Sequence, residues 1–88
     1  MKTKKVALVT GASSGIGESA ARLLKQNGFI VYGAARRLEK MKELQSLDIN
    51  TIQLDITDEG SIVGCVDTIL EKEGHIDVLI NNAGYGSY

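Results

Sequence analysis

Thr10-Gly11-Ala12-Ser13-Ser14-Gly15-Ile16-Gly17 is the segment whose residue types and spacing can do chemistry. It follows an apolar run, Val6-Ala7-Leu8-Val9, and opens a helical pattern. Free backbone N–H groups at a helix start, with the helix dipole behind them, make an anion site, and glycine lets the backbone come close to a phosphate. No Gly-Lys-Ser/Thr follows, so this is not the loop that cradles nucleoside triphosphates. Nor is it G-x-G-x-x-G; the glycines fall as T-G-x-x-x-G-x-G. A second feature is cationic: Arg36 comes 19 residues after Gly17, Arg37 follows it, and no acid stands between Gly28 and Arg37. Two arginines at a helix start oppose the dipole, which favours a ligand-binding reason for them.

The elements that position these residues are legible as alternating patterns. Val6–Val9 reads as a buried strand. Ile16, Ala20, Leu23 and Leu24 recur at helical spacing, and Gly28 stands where a helix cap belongs. Phe29 to Ala34 reads as a second strand, and Leu38, Met41 and Leu44 as a short helix. Thr51 to Leu54 is a third strand. Thr57 is the expected cap of a third helix carrying Ile62, Val66, Ile69 and Leu70, which Gly74 ends. Asp77 to Ile80 is a fourth strand. This β-α-β-α-β-α-β order predicts an α/β protein: a Rossmann-like, doubly wound parallel sheet. Right-handed crossovers and a strand order of 3-2-1-4 put the ligand site at the switch point between strands 1 and 4.

Composition narrows the function classes. The chain has 88 residues, with ten glycines, no proline and one cysteine. Glycine without proline, at normal apolar content, excludes collagen and linker readings. A lone cysteine, Cys65, excludes an internal disulfide framework and a cysteine-cluster zinc site, and points to the cytoplasm. No 18-residue apolar run is present, so no membrane span is expected. The formal charge is −1, but residues 1–44 carry +6 and residues 45–88 carry −7. That split argues against a nucleic-acid-binding surface and for a local basic feature. His75, the only histidine, reads as a solvated loop residue, and Cys65 as core filler. No metal site is expected.

The T-G-x-x-x-G-x-G turn resembles that of the classical short-chain dehydrogenase/reductase family. Leu54-Asp55-Ile56-Thr57, Asp77-Val78-Leu79-Ile80 and Asn81-Asn82-Ala83-Gly84 follow in the family's order. The resemblance covers essentially the whole chain. It implies an oxidoreductase moving a hydride between a nicotinamide cofactor and a small-molecule carbonyl or alcohol. Gly11, Gly15, Ile16 and Gly17 would hold the pyrophosphate. Arg36 and Arg37 stand where dinucleotide folds set NADP(H) over NAD(H), an Arg taking the 2′-phosphate in place of an acid on the ribose. Ser13 and Ser14 have hydroxyls able to donate to that phosphate, although a basic residue found at the position of Ser14 in some members is missing here. Asp55 and Ile56 would meet the adenine, and Asn82, Ala83 and Gly84 the nicotinamide-side ribose. Asn81 is expected to tie strand ends together.

The family's catalytic Tyr-x-x-x-Lys is not found. Tyr32 is followed four residues later by Arg36, and Tyr85 and Tyr88 have no residue four positions on. The resemblance places all catalytic residues after the Asn-Ala-Gly segment. Residues 1–88 are therefore read as the N-terminal part of one NADP-binding domain, inactive by itself, from a protein that is a homo-oligomer when complete. A non-catalytic dinucleotide-binding or regulatory protein is the alternative at this point.

Overall fold

The structure is a computed structural model and describes residues 4–82. Four strands form one parallel sheet: β1 (Val6–Thr10), β2 (Ile30–Ala35), β3 (Asn50–Gln53) and β4 (Val78–Asn81), in the spatial order β3-β2-β1-β4. The crossovers contain α1 (Gly15–Gln26), a 3-10 turn (Leu38–Met41) continuing into α2 (Lys42–Ser46), and α3 (Glu59–Glu73). The expected fold class and strand order are both present. The register sets Thr10 level with Ala34 of β2 and with Asn81 of β4. Three strands thus end together, and the loops leaving them share one rim.

β1 is buried along its whole length, because the central strand is covered on both faces. Alternate residues feed two cores. Val9, Ala12, Ala21, Val31, Met41, Leu44 and Ile49 pack on the side of α1 and α2. Val6, Leu8, Tyr32, Ala34, Leu54, Cys65 and Ile69 pack on the side of α3. Cys65 is core filler as expected, and burial raises its thiol pKa.

The helices turn different faces inward from those the apolar spacing suggested. In α1 the buried residues are Gly17 and Ala21, with Ala20 and Leu24 partly covered. Ile16 is 77% exposed and Leu23 60% exposed. Small residues let the helix lie close to the strands, so they, not the large ones, take the inner stripe. In α3 Cys65 and Ile69 are buried, while Ile62 and Leu70 are exposed.

The caps also differ. Asn27 caps α1, and Gly28 takes the left-handed conformation after it, with φ 87°. Asp58, not Thr57, caps α3: its carboxylate accepts from Gly60 N–H at 2.9 Å. Gly74 ends α3 at φ 87°, as its type demands. His75 is not a freely solvated loop residue. Its Nε2 lies 3.1 Å from Asp77 Oδ2, and that oxygen also accepts from Val6 N–H at 2.8 Å, fastening the start of β4 to β1.

Candidate functional site

The glycine-rich turn leaves the end of β1 in the left-handed region, with Gly11 at φ 66°. A side chain there would be strained, which accounts for glycine at this position. The chain then crosses the end of β2, where Ala12 N–H donates to Ala34 O at 3.0 Å. Gly33 makes room for this crossing: a β-carbon on it would lie 3.0 Å from Ala12 Cβ. The sequence reading gave Gly33 no role, although an isolated glycine inside a strand pattern is a signal of close backbone approach.

Ser14 caps α1. Its hydroxyl donates to Gly11 O at 2.8 Å and accepts from Gly17 N–H at 3.3 Å and from Asn82 Nδ2 at 2.9 Å. One donor and two acceptors are all a hydroxyl has. The expectation that Ser14 donates to a 2′-phosphate therefore meets a hydroxyl whose proton is already committed to the turn. Ser13 is exposed beside it.

Gly17 is buried against the turn. A β-carbon on it would overlap Gly11 O and sit 2.8 Å from Gly11 C and 2.9 Å from Asn82 Nδ2. Gly15 is the opposite case, with nothing within 4 Å of a β-carbon. Among the described residues, the N–H groups of Gly15 and Ile16 have no partner. Two unpaired donors at a helix start, in front of open space, fit a phosphate group.

Arg36 and Arg37 follow β2 at the same rim. Both are exposed and form no ion pair among the described residues. Gln53 Nε2 donates to Arg36 O at 3.1 Å, which ties the loop to β3. Beyond β3, Asp55 Oδ1 accepts from Thr57 Oγ1 at 2.6 Å and from Thr57 N–H at 3.0 Å. Those bonds, with a smaller contribution from the nearby Arg36 charge, hold the Asp55 carboxyl below its ordinary pKa. Ser61, which the sequence reading left unassigned, accepts from Asp55 N–H at 2.9 Å and fixes the loop from α3. Ile56 is half-buried against the core on the α3 side.

At the end of β4, Thr10 Oγ1 donates to Asn81 Oδ1 at 3.0 Å and accepts from Asn82 N–H at 3.0 Å. Asn81 thus ties strand ends together as expected. Ala83 and Gly84 lie outside the described residues. The structure brings Gly11, Ser14, Gly17 and Asn82 into direct contact. It sets Arg36 and Asp55 on the loops after the neighbouring strands.

An open parallel sheet of order 3-2-1-4, with a glycine turn entering a helix at its switch point, defines a Rossmann-like α/β protein. The family follows from comparison: residues 5–88 match the short chain dehydrogenase family, and the chain belongs to it. It is 44% identical over 86 residues to short-chain dehydrogenase PC-15 of Penicillium crustosum, covering 94% of this chain and 32% of that protein. A short-chain dehydrogenase from Streptomyces avermitilis superposes with TM-score 0.88 at 41% identity, covering 94% of this chain and 32% of that one. An actinorhodin polyketide ketoreductase variant solved with NADPH superposes with TM-score 0.84 at 39% identity, covering 97% and 36%. The chain spans about a third of the length of the relatives it matches. Among the described residues, no helix is long and apolar enough to cross a membrane.

Proposed function

We propose that this chain is the cofactor-binding part of an NADP(H)-dependent reductase or dehydrogenase acting on a small-molecule carbonyl or alcohol. The observation that carries the cofactor choice is the exposed Arg36–Arg37 pair at the end of β2, with no acid between Gly28 and Arg37. An acid on that loop would favour a ribose 2′-hydroxyl, whereas guanidinium groups favour a 2′-phosphate. The NADPH bound by the 39% identical ketoreductase supports the same choice.

Each residue has a distinct task in this reading. Gly15 and Ile16 N–H groups receive the pyrophosphate, and Gly15 leaves it room. Gly11 and Gly17 shape the turn, and Ser14 holds its helix end. Arg36, Arg37 and Ser13 take the 2′-phosphate. Asp55 and Ile56 border the adenine, and Asn82, Ala83 and Gly84 the nicotinamide-side ribose. A bound nicotinamide supplies the hydride chemistry, and the protein supplies position and electrostatics. We place the working protein in the cytoplasm, on its lone cysteine, and as a homo-oligomer, as the family resemblance implies.

Calorimetric titration of the protein with NADPH and with NADH tests the reading. Saturable binding with NADPH the tighter ligand is the expected result. Tighter NADH binding would overturn the cofactor preference, and binding of neither would overturn the site.

A further inference from the structure

The cofactor reading sets Asn82 beside the nicotinamide-side ribose but gives its carboxamide no bond to make, whereas the structure gives it two. Asn82 lies at the end of β4, 68 residues from Ser14 in the chain, yet its Nδ2 donates to Ser14 Oγ at 2.9 Å and to Gly11 O at 3.3 Å. Both amide protons are thereby used. Ser14 Oγ in turn donates to Gly11 O and accepts from Gly17 N–H. Gly11 O collects three donors: Ser14 N–H at 3.1 Å, the Ser14 hydroxyl and the Asn82 amide. The carboxamide also fills the slot left by the missing side chain of Gly17, since a β-carbon there would lie 2.9 Å from Nδ2.

We infer that Asn82 is a positioning residue for the glycine-rich turn: its amide saturates Ser14 and Gly11 O, holding the turn with the Gly15 and Ile16 N–H groups pointing outward for a phosphate. The latch rests on the cofactor reading for its effect on affinity, but not for its existence. With Asn82 in place, the Ser14 hydroxyl has no free valence, so the cap stays on the helix and does not swing to the ligand. Cofactor affinity then depends on the end of β4 through hydrogen bonds that never touch the cofactor.

A double-mutant cycle reads the latch directly. Asn82→Ala is expected to speed amide exchange at Gly17, whose N–H loses a fixed acceptor, and to weaken NADPH binding by about tenfold, the range of one or two hydrogen bonds. Ser14→Ala has a similar effect, the double variant is little worse than either single one, and Ser14→Thr recovers most of the affinity lost in Ser14→Ala. Asn82→Asp keeps the size and the backbone bond to Thr10 while removing both donors, and serves if Asn82→Ala fails to fold. Wild-type exchange at Gly17 and wild-type NADPH affinity in a folded Asn82 variant would overturn the inference. So would losses at Ser14 and Asn82 that multiply in the double variant. If the unsubstituted protein bound no NADPH, the cofactor reading would fall, while the exchange rates at Gly17 would still decide the latch.

Discussion

Gly17 packs so closely on Gly11 that a β-carbon would overlap the Gly11 carbonyl oxygen and lie 2.8 Å from its carbon. Gly15, two residues earlier, faces open space. The two glycines of one motif therefore serve different ends: Gly17 lets α1 close on the turn, and Gly15 leaves the approach clear.

Substituting each separates the two roles. Gly17→Ala must displace backbone, and a loss of about 1–3 kcal/mol is expected in denaturant melts, as for overpacking elsewhere. Gly15→Ala adds a helix former in an unhindered position and should hold or raise stability by about 0.4–1 kcal/mol. It should still weaken NADPH binding, because the methyl group enters the space the phosphate would take.

Arg36→Ala with Arg37→Ala tests the 2′-phosphate assignment. Losing both charge-assisted contacts should weaken NADPH by about a hundredfold and NADH by less than about threefold. Parallel titrations with the two cofactors read the difference, and equal losses would sink the assignment.

Tyr32 and Glu73 predict an alkaline transition. The Tyr32 hydroxyl donates to Glu73 Oε2 at 2.7 Å, and burial first, then that bond and the Glu73 charge, push its pKa from 10.0 up to about 12. The raised value means the folded state holds the proton longer than the unfolded chain does. The contribution to stability is whole below pH 10.0 and is lost as pH rises towards about 12. Tyr32→Phe should cost about 1 kcal/mol at neutral pH and flatten that part of the pH profile in thermal melts.

Asp55 predicts the opposite sign in acid. Its carboxyl is held below the ordinary 3.8 by the Thr57 bonds. The folded state therefore releases this proton more readily than the unfolded chain. The contribution is complete above 3.8 and fades as pH falls through the lower folded value. Asp55→Asn keeps an acceptor for Thr57, so the fold should persist while stability in acid becomes less dependent on pH.

The order of elements, the parallel sheet and the rim carrying Gly11, Gly15, Gly17, Arg36 and Asp55 were legible in the sequence. Each rests on local information: apolar runs set strands, glycines set the turn, and chain order with right-handed crossovers restricts the sheet. Family membership was legible for the same reason, since the motifs lie in short contiguous stretches. The tertiary structure alone decided which helix face lies inward. The spacing of Ile16, Ala20, Leu23 and Leu24 is as helical as that of Gly17, Ala20, Ala21 and Leu24, and periodicity cannot rank two overlapping stripes. The close approach of α1 to the strands chose the small residues and left Ile16 and Leu23 outside. The same holds for Asn82 on Ser14, Tyr32 on Glu73 and His75 on Asp77. The first two of these contacts join segments tens of residues apart. The His75–Asp77 contact spans only two residues but takes its meaning from Val6, 71 residues from Asp77. Such partners are set by register and packing distance, which exist only once the sheet has formed.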